Sequence, residues 1–329
     1  MEHVRIAGIE TEATRVGLGT WAIGGWMWGS TEASDAEKTI RSAIDRGVTL
    51  IDTAPIYGQG RSEEIVGKAV TDSGRRDDLV LATKVGLDWS DGIRRDSSPS
   101  RIRKEIDDSL RRLQTDVIDL YQVHWPDASV PFERTAEELE KLRAEGKIRA
   151  IGVSNYDPEQ MDAFRDGAAL STLQPPYNLF ERGMEQRHLP YCKENGISIL
   201  SYGALCRGLL SGKMTSETTF PKGDLRRNDP KFREQRFEQY LNAVQRIDAL
   251  ARKRYNVSVL EFAVRWILDQ GVEIALWGAR RPDQLDPLGN IWGWNIDADT
   301  MSDVDRILAE SIEEPVGPEF MAPPENEPS

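Results

Sequence analysis

Four polar side chains sit at or just past the ends of apolar runs: Asp52 and Tyr57 in VTLIDTAPIYG, Lys84 in LVLATKV and His124 in VIDLYQVHW. Their types make chemical sense together. A phenol has a pKa of about 10 and is a usable proton donor near neutrality only if its surroundings lower that value. A neighbouring ammonium would do so, and a carboxylate would hold the ammonium in place. An imidazole beside them adds a hydrogen-bond donor for a substrate oxygen. Each residue alone also has a structural reading: Asp52 and Lys84 as an internal ion pair, Tyr57 as a packed loop tyrosine, His124 as a satisfied core histidine. An isolated Asp and Lys are expensive to bury without a further role, so the set carries more than its members.

The elements that must position these four alternate regularly. Strand-like runs are RVGLG, VTLIDT, LVLATK, VIDLYQV, IRAIGVS, STLQ, ISILSYG and EIALWG. Helical patterns such as SDAEKTIRSAIDRG, SPSRIRKEIDDSLRRL and PFERTAEELEKLRAEG lie between them, opened by Ser, Asp or Pro. Alternation of this kind predicts a parallel sheet, and eight runs favour closure into an α/β (β/α)8 TIM barrel over an open doubly wound sheet. The C-terminal ends of parallel barrel strands share one mouth, which would bring the four side chains together. One barrel domain is predicted over 1–329, ending in a helix and a partly disordered tail from about residue 318. The longest interruption, GLLSGKMTSETTFPKGDLRRNDPKFRE, follows the seventh run. It reads as a long polar loop, with about Ser211 to Arg233 forming a movable clasp over a bound ligand.

Composition narrows the function. A length of 329 residues suits one large domain with a sizeable core. The net charge of -13 and a pI near 4.9 argue against a nucleic-acid surface and an anionic membrane, and no Lys/Arg-rich block offsets them. The N-terminal MEHVRIAGIETE lacks an apolar signal region, and two cysteines, Cys192 and Cys206, fit a reducing cytoplasm rather than a disulfide framework. No obligate protein partner is implied.

Three motif lookalikes point elsewhere and are weaker. Gly17 to Ala22 fits a G-x-G-x-x-A dinucleotide fingerprint but runs into IGGWMWG rather than directly into a helix. Gly208 to Lys213 is one residue short of a phosphate-binding P-loop and is followed by Met214 instead of Ser or Thr. His188 and Cys192 have i, i+4 spacing but no third ligand of matching pattern, so no metal site is expected.

The segments GLGTWAIGGWMWG, DTAPIYGQGRSEEIVGKA, ATKVGLDW, SLRRLQTDVIDLYQVHWPD, GKIRAIGVSN, QPPYNLFER, SYGALCRGLLSGKM and WGARRPDQL, in that order, resemble the motifs of the aldo-keto reductases. The pattern is most similar to the bacterial general-stress branch, soluble NADPH-dependent reductases. The resemblance implies a reversible reduction of aldehydes and ketones with Tyr57 as general acid, Lys84 and Asp52 tuning it, and His124 orienting the carbonyl. It implies NADPH/NADP as cofactor, with NADH weaker, and a small-molecule carbonyl substrate. By the same resemblance Ser154, Asn155 and Gln174 hold the nicotinamide carboxamide, Tyr202 stacks on the ring, and Thr20 and Trp21 line it beside Asp52. The backbone from Gly203 through Leu205, Cys206, Arg207 and Gly208, with Lys213 and Arg227, faces the pyrophosphate. Gly278, Ala279, Arg280 and Gln284 take the adenosine 2'-phosphate. Pro287-Leu288 stands where many relatives have Glu-Asn, and Ala204 where Pro is frequent, which bears on adenine contacts and not on the fold.

A substrate pocket walled by Trp21, Trp28, Trp89 and Trp125, with Tyr57 and His124 at its base, is expected above the nicotinamide. Trp28 and Trp89 read equally as loop anchors. Two other functions fit parts of the pattern: a nucleotide-sensing binding subunit with slow chemistry, and a Schiff-base aldolase using Lys84 as nucleophile. The aldolase would require a lysine without a carboxylate partner, whereas Asp52 should keep Lys84 charged.

Overall fold

The computed structural model describes residues 1–25, 27–29 and 32–325. Eight parallel strands close into a barrel: β1 (Val16–Gly19), β2 (Leu50–Asp52), β3 (Val80–Val85), β4 (Ile118–Val123), β5 (Ile148–Ser154), β6 (Thr172–Gln174), β7 (Ser198–Ser201) and β8 (Ile274–Gly278). Strand β8 returns to β1 with Trp277 opposite Leu18, which closes the ring. The eight strands coincide with the eight apolar runs to within a few residues, and the α/β barrel follows from their order.

Register puts the chemistry in one layer. Gly19 pairs with Asp52, Lys84 with Gln122, and Ser154 with Gln174, all at the C-terminal ends of their strands. Below that layer Leu50, Val80, Ala82, Leu120, Ala150, Leu200, Ile274 and Leu276 fill the barrel interior. An N-terminal hairpin (His3–Val4 with Ala13–Thr14) brings Ile6, Ile9 and Ala13 into the same cluster and plugs the opposite end. Only the mouth is left for polar work.

Outer helices are α1 (Ala33–Asp45), α2 (Arg61–Ser73), α3 (Pro99–Leu113), α4 (Phe132–Ala144), α5 (Pro158–Arg165), α6 (His188–Asn195), α7 (Glu234–Tyr255), α8 (Val259–Asp269) and α9 (Ala298–Ser311). Their starts obey sequence. Ser98 accepts from the Arg101 N–H ahead of Pro99 at the first helical position, and Asp157 with Gln160 forms a reciprocal cap before Pro158. No described helix is long and apolar enough to cross a membrane.

The long segment after β7 differs from the polar loop that sequence predicts. It carries short 3-10 turns at Cys206–Ser211, Leu225–Arg227 and Pro230–Phe232, and its second half is tied down. Buried Arg207 bonds Asp229 (2.5 Å) and Glu181, while buried Lys231 donates to Glu181 (2.8 Å) and to the Gly317 carbonyl (3.0 Å). Burial pushes the Glu181 carboxyl up, but Arg207 and Lys231 outweigh it and hold the group below the ordinary range. Residues 212–223 remain largely exposed. The tail predicted to be partly disordered has a 3-10 turn at Glu319–Met321 and runs over the barrel mouth to Glu325; residues 326–329 lie outside the described residues.

Candidate active site

Asp52 ends β2 and is 3 % exposed, with Lys84 from β3 wholly buried beside it. The Lys84 ammonium donates to Asp52 Oδ2 (2.7 Å) and to the Thr53 carbonyl (2.8 Å). The other carboxylate oxygen accepts from Gln174 Nε2 (2.8 Å) and Gln122 Nε2 (3.3 Å). Gln122 was missed by sequence reading, although its place directly opposite Lys84 in the β3–β4 register would have revealed it. Asp52 is thus held by one cation and two amides, the satisfied arrangement a buried carboxylate needs. Burial lowers the Lys84 pKa, and Asp52 and Glu63 oppose that shift. Wholly buried and paired, Lys84 cannot present the accessible free amine that an aldolase requires.

Tyr57 follows the β2 strand on a turn pressed against the first loop. A Cβ at Gly24 would lie 2.8 Å from the Tyr57 carbonyl, so only glycine permits this approach. The Tyr57 ring stacks on Trp21 (centroids 6.0 Å apart) and meets His124 edge-on at 5.7 Å, with Lys84 Nζ 5.1 Å from its centroid. The sequence predicts a phenol with a lowered pKa; here burial drives it well above its ordinary value, and Asp52 and Tyr202 add to the rise. The physical reason is desolvation: the phenolate would lose water that the Lys84 ammonium, already paired with Asp52 at 2.7 Å, does not replace. Tyr57 is therefore held protonated. His124 is pushed well below its usual range by burial and then by Lys84, which keeps it neutral, a donor at one ring nitrogen.

Two cavities meet at this tyrosine. The larger, about 620 Å³, runs from Thr20, Trp21, Asp52 and Tyr57 outward past Tyr202, Gly203, Leu205 and Gly208 to Lys213, Arg226, Arg252 and Arg280. The smaller, about 290 Å³ and mostly apolar, is bounded by Ile56, Leu87, Trp125, Leu225 and the tail, with His124 in its wall. Trp21, Tyr57 and Tyr202 belong to both.

The predicted binding residues divide between them. Gly278, Ala279, Arg280 and Gln284 line the larger cavity, where the Gln284 side chain accepts from the Arg280 N–H (2.7 Å) and so shapes the turn. Ser154, Asn155 and Gln174 border the smaller one. Their polar groups are knitted together: Ser154 donates to the Gln174 carbonyl (2.7 Å), and Asn155 donates to the His124 carbonyl (3.0 Å) while accepting from the Tyr202 hydroxyl (3.0 Å).

Several positions are corrected. Arg227 is exposed on the loop and donates to the Phe220 carbonyl; the neighbouring Arg226 lines the cavity, its guanidinium over the Trp28 and Phe220 rings. The run LRRND offers two adjacent arginines, and the Asp224 side chain, bonded to Arg226, selects between them. Gly203, Leu205, Arg207 and Gly208 line the larger cavity while the Arg207 side chain turns into the Glu181–Asp229 network; Cys206 is wholly buried, its thiol pushed up to about 12 by burial. Trp28 lines the larger cavity rather than the smaller, and Trp89 borders neither, being anchored under Arg101.

The larger cavity suits an elongated phosphate-bearing ligand: cations gather at its far end, and the buried Trp28 Nε1 on its wall has no hydrogen-bond partner among the described residues. The sequence matches the Aldo/keto reductase family over residues 15–309. The chain belongs to the aldo/keto reductases. It is 58% identical over 329 residues to "Aldo-keto reductase YhdN" of Bacillus subtilis (strain 168), covering 99% of each chain. It is 34% identical to the "NADH-specific methylglyoxal reductase" of Escherichia coli (strain K12), over 95% of this chain and all of the other. Among solved structures it is similar to the glycerol dehydrogenase AKR11B4 from Gluconobacter oxydans, with a TM-score of 0.88 and 52% identity over 97% of this chain and 99% of that one. A Klebsiella pneumoniae aldo/keto reductase in complex with NADP and acetate matches with a TM-score of 0.72 and 29% identity, over 93% and 95% of the two chains. As an aldo/keto reductase the protein is an oxidoreductase of a family that uses nicotinamide cofactors on small carbonyl compounds.

Proposed function

We propose that this aldo/keto reductase reduces aldehydes and ketones to alcohols, reversibly, with NADPH preferred over NADH. The observation that carries the reading is the meeting of a long, cation-ended cavity with a small apolar one at Tyr57 and beside His124. A bound nicotinamide supplies the hydride. The chain's own residues do the rest. Trp21 and Tyr202, common to both cavities, confine the reacting carbonyl at their junction. Neutral His124 donates a hydrogen bond to the carbonyl oxygen, and Tyr57 gives up its phenolic proton to that oxygen as negative charge develops. The Lys84 ammonium faces the transient phenolate across the ring, and Asp52, held by Gln122 and Gln174, keeps that ammonium in place.

The preference for NADPH is supported by Arg226 and Arg280 on the larger cavity, two guanidiniums suited to a phosphate dianion. The Escherichia coli relative is named NADH-specific, so the two cofactors are compared side by side. The direct test is turnover of a panel of short, branched and aryl aldehydes with each reduced cofactor. Failure of both cofactors with every aldehyde would leave a binding protein; NADH turnover exceeding NADPH would overturn the preference alone.

A further inference from the structure

The smaller cavity owes one wall to the carboxy-terminal segment: Phe320, Met321, Ala322, Pro323 and Pro324 all border it. Apart from one 3-10 turn this stretch has no regular structure, and its two prolines carry no N–H to donate. The Met321 and Ala322 N–H groups are spent inside the turn on the Pro318 and Glu319 carbonyls, so donors from the barrel must reach the carbonyls that follow.

Arg95 brings them. It sits on the hairpin formed by Leu87–Asp88 and Arg94–Arg95 after β3 and is 7 % exposed. One terminal nitrogen donates to the Pro126 carbonyl (2.9 Å) and approaches exposed Glu325 (3.3 Å); the other donates to the Pro323 carbonyl (3.0 Å). Its guanidinium carbon lies 5.4 Å from the centre of the Trp125 ring, itself a cavity wall. Arg95 therefore joins the Trp125–Pro126 loop to the tail without bordering the cavity or touching Tyr57 or His124. On the other side the tail is anchored separately, at Gly317 by Lys231 and at Phe320 by the Arg207 guanidinium. The stretch that roofs the substrate cavity hangs between these anchors.

We infer that Arg95 is the positioning residue that holds the carboxy-terminal segment as a wall of the substrate cavity, and that it thereby sets which sizes of carbonyl compound are bound well. The inference rests on the reductase reading. A planar fork can reach two carbonyls on different segments while its face covers an indole; a lysine, a single strongly hydrated point charge, cannot do all three. With the fork in place, a short aldehyde is enclosed by the tail and Trp125. Without it the wall loosens, short aldehydes lose their contacts, and long ones gain room.

The test uses Arg95→Met and Arg95→Lys in the full chain, with NADPH and straight-chain aldehydes from propanal to decanal. For Arg95→Met, KM for the shortest aldehydes should rise about tenfold, the scale of one lost charge-assisted hydrogen bond. KM for the longest should change much less. The kcat values should stay within about twofold, since Arg95 touches neither Tyr57 nor His124. Arg95→Lys should fall between. Backbone hydrogen exchange in residues 319–325 should accelerate in both variants. Phe320→Ala should alter the chain-length profile in the wild type and add little on top of Arg95→Met, because a released wall has nothing left to lose.

An unchanged chain-length profile, unaltered exchange in residues 319–325, a fully additive double variant, or an equal loss of kcat for every aldehyde would each overturn the inference. If the wild type turned over no aldehyde, the reductase reading would fall by itself. Hydrogen exchange would still report whether Arg95 holds the segment.

Discussion

Lys84 Nζ lies 5.1 Å from the centre of the Tyr57 ring, over the face of the phenol. Its charge is shared with Asp52 at 2.7 Å, and burial decides the phenol's proton affinity, holding Tyr57 protonated beyond its ordinary range. His124 is displaced the other way by desolvation and stays neutral. Reduction needs protonated Tyr57 and neutral His124, so kcat for reduction should be flat from about pH 6.5 to about pH 9. Alcohol oxidation needs the phenolate and should rise across that window. The stability signs follow from the same shifts. A histidine depressed in the folded state makes stability fall as pH drops below about 6.5, and a tyrosine raised in the folded state makes it fall as pH climbs above about 10. A reduction profile with a descending limb near neutrality would contradict these assignments.

Tyr57→Phe removes the transferred proton but keeps the ring stacked on Trp21. Its kcat should fall by roughly 100-fold or more, the ordinary scale of general acid catalysis, while NADPH binding measured by fluorescence titration persists. Near-normal kcat in the variant would remove Tyr57 from the mechanism.

Asp52→Asn should preserve shape and lose charge. Gln122 and Gln174 can still donate to the amide oxygen, but Lys84 is left buried without its carboxylate. Breaking one side of a buried pair costs on the order of 3 kcal/mol. Burial already lowers the Lys84 pKa, and loss of Asp52 lowers it further, so the unfolded chain binds the extra proton. The deficit should therefore shrink as pH rises toward about 10.5, the ordinary lysine value. Urea midpoints at neutral and alkaline pH compare the two; a deficit independent of pH would mean that the lost stability is not electrostatic.

The barrel was legible because its information is local. IRAIGVS spans the whole of β5, and Ser98, Asp157 and Pro158 announce helix starts through interactions a few residues long. The Asp52–Lys84 contact was legible at one remove, since parallel strands of a closed ring must deliver their ends to one layer. What stayed hidden depends on distant partners. Nothing within LRRND tells Arg226 from Arg227 until Trp28 and Phe220 arrive over one of them. The tail from about residue 318 reads as partly disordered because the donors that hold it, Arg95 and Lys231, lie far back in the chain. Tyr57 was misjudged for a related reason: its proton affinity reflects burial, which residue types and spacing do not record.

The long loop after β7 should behave as two pieces. Residues 212–223 are largely exposed, whereas buried Asp229 and Lys231 are locked to Arg207 and Glu181. Trypsin should cut the cofactor-free protein after Lys213 and Lys222 and spare Lys231. Lys213 borders the larger cavity, so NADPH should slow the first cut most. Early cleavage at Lys231, or equal rates with and without cofactor, would contradict a clasp hinged at the buried network.

Cofactor choice turns on Arg280. Its pKa is lowered by burial first and by neighbouring Arg226 second, with Asp224 only partly compensating. One terminal nitrogen is spent on the Trp28 carbonyl at 2.7 Å, which fixes the fork in place. Two arginines held near each other in a half-buried cavity wall repel, and a phosphate dianion relieves that repulsion while accepting from the remaining N–H groups. Arg280→Ala should therefore weaken NADPH by roughly 1.5 to 3 kcal/mol, the range for hydrogen bonds to charged groups. NADH, with a hydroxyl at that position, should lose little. Arg226→Ala should weaken NADPH in the same sense, and both losses should shrink at high salt as screening grows. The measurement is the dissociation constant of each cofactor for wild type and both variants at fixed ionic strength. If Arg280→Ala weakens the two cofactors equally, or neither, the arginine does not read the phosphate, and the Escherichia coli relative named NADH-specific becomes the better guide to this cavity.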